Sequence, residues 1–162
     1  MVNKAISDSG PIIHLHEIDC LNALDLFEEI IIPPSVETEL KRKGVPLKQI
    51  IVRQLTPGMK DKSKVFSVNY ELDIGESEAI VLAIEEHAEY FLTDDLDARI
   101  IGAEQGLEVH GTIGIILRAF RDKLLNKANA IEKLGKLKTN SSLFITQDLV
   151  NLVIRAIQNY KS

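Results

Sequence analysis

The chain has 162 residues, 45% apolar and 27% charged, the make-up of an ordinary globular protein rather than of a disordered segment. A net charge of −5 argues against a protein that binds nucleic acid over its whole surface, while leaving room for a local basic patch. Cys20 is the one cysteine, so an intramolecular disulfide is excluded. The start lacks a signal-peptide pattern, no apolar run reaches membrane-spanning length, and the chain ends Asn159-Tyr160-Lys161-Ser162 without a prenylation box, so a cytoplasmic setting without a membrane is expected.

In chain order, Ala5-Ile6-Ser7 reads as a first strand ending in the turn Asp8-Ser9-Gly10-Pro11, with Ser9 able to cap the next helix. Apolar residues at Ile12, Leu15, Ile18, Leu21 and Leu24 predict one helix over 12–27. Ile30-Ile31-Ile32 is a buried strand stopped by Pro33-Pro34, after which Ser35 caps a helix carrying Glu37, Glu39 and Leu40 and ending near Gly44. Ile50-Ile51-Val52 is a further short strand, and Thr56-Pro57-Gly58 reads as a turn. From Lys41 to Lys64 there are eight basic residues and one acid, Asp61: either a solvated connection or an RNA-contacting face.

Asp73-Ile74-Gly75-Glu76-Ser77-Glu78 opens the most regular helix, through about His87, with acids in the first turn where the helix dipole favours them. Tyr90 to Thr93 is a strand running into Asp94-Asp95, Arg99 to Gln105 a helix closed by Gly106, and Leu107 to His110 a strand before a helix starting at Gly111-Thr112-Ile113-Gly114. The stretch from about 128 to 162 is helical by pattern and packs outside the sheet. Nearly strict alternation with short connections is the sequence form of a parallel sheet covered by helices on both faces, an α/β fold. No repeat or linker divides the chain, so 1–162 reads as one domain, with a core of about 4–120 and a helical extension of about 128–162.

In such a sheet ligands bind beyond the C-terminal ends of the strands. Two predicted strands end on acids, Asp8 and the pair Asp94 and Asp95, and two helices facing that edge carry Glu39, Glu76 and Glu78 early. Each has a plainer reading as a cap, a first-turn or a surface residue; their common placement is what points to a site. Converging carboxylates repel one another unless a cation occupies the cluster, and hard divalent ions suit oxygen donors. Phosphoryl chemistry is the usual purpose. His14-x-His16 does not hold one ion, because positions i and i+2 of a helix point about 200° apart. His87 and His110 are isolated, Cys20 reads as core, and no nucleotide-loop or zinc-finger spacing is present.

The stretches Ile6-Ser7-Asp8-Ser9-Gly10-Pro11, Pro33-Pro34-Ser35-Val36-Glu37-Thr38-Glu39-Leu40, Asp73-Ile74-Gly75-Glu76-Ser77-Glu78-Ala79-Ile80, Leu92-Thr93-Asp94-Asp95 and Val109-His110-Gly111-Thr112-Ile113-Gly114, in that order, resemble PIN domains, in particular a VapC-like subfamily of prokaryotic PIN proteins. The resemblance runs over about 4–120. It implies a Rossmann-like fold and Mg²⁺- or Mn²⁺-dependent cleavage of single-stranded or structured RNA. It further implies a homodimer and, in toxin relatives, an antitoxin partner. Carried over by position, the metal ligands are Asp8, Glu39, Glu76 and Asp94, with Asp95 able to take the fourth place and Glu78 the third. Glu76 is preferred because Ala79, Ile80 and Ala83 at i+3, i+4 and i+7 place it at the start of the buried stripe, whereas i+7 from Glu78 is Glu85. Ser9 and Thr93 would hydrogen-bond the carboxylates. Lys41, Arg42, Lys43 and Arg99, with Arg118 as a further contact, would steer the nucleic-acid backbone. Two alternatives remain open: a catalytically weak PIN fold kept as a binding or regulatory module, and a receiver-like domain phosphorylated on Asp8. The second lacks the neighbouring acid at i+2, which is Gly10.

Overall fold

Side chains alternate across a strand, and here both faces are apolar. In the computed structural model, which describes residues 3–161, five short parallel strands form one sheet: β1 Lys4–Ser7, β2 Glu29–Ile32, β3 Ile50–Val52, β4 Tyr90–Leu92 and β5 Glu108–His110, in the order β3-β2-β1-β4-β5. Residues 1, 2 and 162 of the one-domain reading lie outside the described residues. Ile6 pairs in register with Ile31 on one side and Phe91 on the other. Those three, with Val109, point into a core made by α3 (Pro57–Tyr70), α4 (Ile74–Glu85) and α5 (Leu96–Glu104). The alternating residues Ala5, Ile30, Ile32, Tyr90 and Leu92 face α1 (Ser9–Glu17), α2 (Pro34–Arg42), α6 (Thr112–Arg121), α7 (Lys127–Asn140) and α8 (Gln147–Gln158). The sheet is therefore covered on both faces, the α/β Rossmann-like arrangement expected from the alternation.

Three local readings are corrected by the structure. The helix expected over 12–27 stops at Glu17: Asp19 turns left-handed at φ 55°, Cys20 N–H donates back to Leu15 O at 2.8 Å, and Leu21–Leu26 forms a separate 3-10 turn. That turn buries Ala23 and Leu24 in the same core as Ile12 and Leu15, so the apolar spacing continues through the break and hides it. The expected turn at Thr56-Pro57-Gly58 is instead the start of α3. Thr56 Oγ1 accepts from Met59 N–H at 3.2 Å, and Pro57 sits in the first turn, where its missing N–H has no consequence. Ser35 does not cap α2; Pro33 is the cap residue, and the Ser35 hydroxyl is buried without a hydrogen-bond partner in the described structure.

The C-terminal helices are part of the packing. Ala130, Leu134 and Leu137 of α7 and Val153 and Ile157 of α8 join the core with Ile115, Ile116 and Ala119 of α6. No helix among the described residues is long and apolar enough to cross a membrane.

Candidate active site

Crossovers from β1 run through β2 to β3, while β5 lies beyond β4 on the other side. The winding direction thus reverses between β1 and β4, where an open sheet leaves a crevice at its carboxyl edge. The two strands end there on Asp8 and on Thr93-Asp94-Asp95. Asp8 N–H donates to Leu92 O at 2.8 Å, which fixes the two strand ends against each other.

Asp8, and not Ser9 as the sequence suggests, is the N-cap of α1, with Oδ1 accepting from Ser9 N–H at 2.9 Å and Oδ2 from the Thr93 hydroxyl at 3.2 Å. It is only 8% exposed. Burial pushes its carboxyl up to about 6, against the Ser9 hydrogen bond, and the charges of Asp73 and then Glu39 push the same way. Glu39, on α2, accepts from the Ser9 hydroxyl through Oε2 at 2.7 Å. Glu76 begins α4 in a reciprocal cap. Its N–H donates to Asp73 Oδ1 at 2.7 Å, and its own Oε2 accepts from Asp73 N–H at 3.1 Å. Burial first, then the charges of Asp73, Asp95 and Asp8, push Glu76 up to about 8.

Asp8, Glu39, Asp73, Glu76 and Asp95 thus act on one another from four segments, and none of the five has an ion pair among the described residues. Asp73 is the member that the sequence reading passed over as a first-turn acid. Its signal is the Asp-x-x-Glu spacing of a capping box, which brings a second carboxylate to wherever Glu76 lies. Glu78 is half-buried two residues on, and the charges that act most on Asp8 and Glu76 come from Asp73, Glu39 and Asp95.

The neighbours Asp94 and Asp95 have different surroundings. Asp95 caps α5, Oδ2 accepting from Ala98 N–H at 2.8 Å, and its own N–H donates to the Thr93 hydroxyl. Asp94 turns toward α6, where Oδ1 accepts from Thr112 N–H at 2.6 Å and Oδ2 from the Thr112 hydroxyl and from His14 Nδ1 at 2.6 Å. Burial raises the Asp94 carboxyl, but the bonds from His14 and Thr112 outweigh it and hold it below the usual range. The ionised group only accepts, so His14 is the donor. The sequence shows His14 only beside His16, with no sign of its actual partner, which lies eighty positions away. Gly111 makes the approach of Asp94 possible, since a Cβ there would stand 2.7 Å from Asp94 Oδ1.

Lys41, Arg42 and Lys43 lie exposed at the C-terminal end of α2, with Lys41 paired to Glu37 at 3.4 Å. Arg99 is exposed on α5 and lines a cavity with Asp94.

A family model described as a PIN domain (DUF3368) matches residues 4–159, nearly the whole chain. The chain belongs to the PIN-domain family. PIN domains are generally nuclease-related and typically use divalent metal ions. A PilT N-terminus domain protein of the hyperthermophilic archaeon Sulfolobus solfataricus P2 shares the fold, with 19% identity and a TM-score of 0.53 over 72% of this chain and 92% of that one. A comparison with curated proteins gives no match.

The donor set of this PIN domain suits a hard divalent cation: every group is an oxygen donor, and Asp8 and Glu76, raised first by burial, are raised further by the neighbouring acids. Among the described residues, no three acidic, histidine or cysteine side chains are close enough to share an ion.

Proposed function

We propose that this PIN domain is a Mg²⁺- or Mn²⁺-dependent endonuclease that cuts single-stranded or structured RNA. The observation that carries the reading is the set of mutually repelling carboxylates at the carboxyl edge between β1 and β4, without ion pairs among the described residues. Asp8, Glu39, Glu76 and Asp95 hold the metal, and Asp73 fixes Glu76. Asp95 is favoured over Asp94 because three of the roughly four acceptor positions of the Asp94 carboxylate already receive hydrogen bonds. A bound divalent ion supplies an activated water and stabilises the leaving oxygen. Ser9 and Thr93 hold the carboxylates in place by the bonds described above. Arg99, and Arg42 and Lys43 at the end of α2, attract the phosphate backbone.

The test is cleavage of an end-labelled RNA pool in Mn²⁺ or Mg²⁺, with Asp8→Asn and Glu76→Gln as comparisons. The reading expects metal-dependent cleavage by the wild type and at least a hundredfold loss in each variant. Wild-type protein that binds the pool but leaves it intact would instead favour a PIN fold kept as a binding or regulatory module. The homodimer, the toxin role and the antitoxin partner belong to the same proposal. Leu96 and Ile100, 66% and 50% exposed on α5, offer an apolar surface for such a contact, and sedimentation at micromolar concentration tests the dimer.

A further inference from the structure

We propose that the groove alongside α6 is a track for single-stranded nucleic acid, leading from the carboxylate edge to a basic, aromatic-lined cavity at the far end of that helix. The polymer's identity rests on the nuclease reading; its path rests on three overlapping cavities. The first, about 360 Å³, begins at Asp94 and Arg99 and is bordered by Phe144 and Leu149 of the α7–α8 region. A second of about 280 Å³ shares His110, Gly114 and Leu117 with it and extends to Arg121 and Tyr160. The third, about 800 Å³, shares Phe120, Arg121 and Tyr160 with the second and adds Lys123, Lys127 and Lys161. From Thr112, which holds Asp94, to Arg121 the helix rises about 13.5 Å, room for about four nucleotides at a stacked spacing near 3.4 Å.

Charge selects the occupant. Arg99, Arg121, Lys123, Lys127 and Lys161 are exposed, and none pairs with a carboxylate among the described residues. Lys127 Nζ rests on the Gln158 carbonyl at 3.1 Å, and Asp94 is the one acid lining the three cavities. In the basic 41–64 stretch, by contrast, Lys41, Arg53 and Lys62 are taken up by Glu37, Glu86 and Glu85. Arg42, Lys43, Lys48, Lys60 and Lys64 of that stretch are exposed and unpaired among the described residues as well, so it is the cavities and aromatic faces beside the cations that single out α6. Aromatic faces stand at both ends. Phe144 is 94% exposed near the first cavity, and Tyr160, 40% exposed, meets Phe120 edge-on in the third. Cations in a groove with aromatic platforms for unstacked bases are how single strands are held without sequence reading. An acidic peptide would satisfy the lysines but would leave those aromatic faces unused.

The experiment uses the full chain carrying Asp8→Asn, in EDTA, and a fluorescein-labelled 12-nucleotide single-stranded RNA, followed by anisotropy against salt. Arg121→Glu/Lys123→Glu/Lys127→Glu is expected to weaken binding at least tenfold. At about 0.7 per phosphate contact, it should also flatten the log–log salt slope by about 2. Tyr160→Ala should weaken binding several-fold and leave the slope unchanged. Lys60→Glu/Lys62→Glu/Lys64→Glu makes the same charge change on α3, across the sheet, and should stay within twofold. Equal losses in the two triple variants, or no loss in the α6 triple, would overturn the track. So would a change of sedimentation mass confined to the α6 triple, which would mark a protein interface. Cleavage is scored separately on protein with Asp8 intact: a wild type that binds through the track but never cuts overturns the nuclease reading alone.

Discussion

Replacing Asp8 by Asn should stabilise this protein in the absence of metal. Asp8 has its carboxyl raised from 3.8 to about 6 by burial, opposed by the Ser9 hydrogen bond and aided by Asp73 and Glu39. A carboxyl raised in the folded state binds its proton more tightly there than in the unfolded chain. The folded state thus gains from protonation below the ordinary value, and that gain is lost as pH rises through about 6. At about 1.4 kcal/mol for each tenfold change in proton affinity, ionised Asp8 costs the fold about 3 kcal/mol at neutral pH and above. Asparagine keeps the shape and an acceptor for Ser9 N–H without the charge. Because its amide is a poorer partner for Thr93 than the carboxylate, the net gain should be nearer 2 kcal/mol, about 4–8 °C in Tm for a chain of this size. Thermal melting in EDTA at pH 8 and at pH 4.5 is the assay, with the gain present at the first and largely gone at the second. A variant that melts below the wild type at pH 8, or a difference independent of pH, would refute the reasoning.

Gly111→Ala should drive Asp94 off Thr112, because the added Cβ would stand 2.7 Å from Asp94 Oδ1 and 3.4 Å from Thr93 O. Loss of that charge-assisted bond should cost about 2 kcal/mol in a urea melt, with cleavage falling in parallel. His14→Ala removes one of the two side chains that donate to Asp94, and about 1–2 kcal/mol of stability should go with it; unchanged stability would mean that water replaces the imidazole. Leu134→Ala, at a fully buried position of α7, should cost about 2–5 kcal/mol in the same measurement. A loss under 1 kcal/mol would show that the C-terminal helices are an appendage rather than core.

Much of the fold was legible because alternating buried strands and capped helices leave a strong local pattern. The five strands were found where Ile30-Ile31-Ile32, Ile50-Ile51-Val52 and their like stand between turn residues. What escaped was structure whose burial does not follow a helix period. Ser63 is the one fully buried residue of α3, and Val65 and Val68 lie exposed, so its sequence reads as a connection even though Thr56-Pro57 announces a helix start. The break at Asp19 escaped for the opposite reason, since burial continues across it. At the site, Asp8 and the Asp94-Asp95 pair were visible as strand ends. The difference in surroundings within that pair was not, because it depends on His14 and Thr112, which arrive from distant helices. Asp73 was hidden by its plain role as a cap, which it fills as well.

The most direct measurement is the Mn²⁺ bound by the metal-free chain, followed by electron paramagnetic resonance of the free ion, for wild type, Asp8→Asn and Glu76→Gln at pH 8. Saturable binding by the wild type, at least tenfold weaker in both variants, is what a carboxylate site at the β1–β4 edge requires. No binding by the wild type at millimolar Mn²⁺, or equal binding by all three proteins, would contradict it.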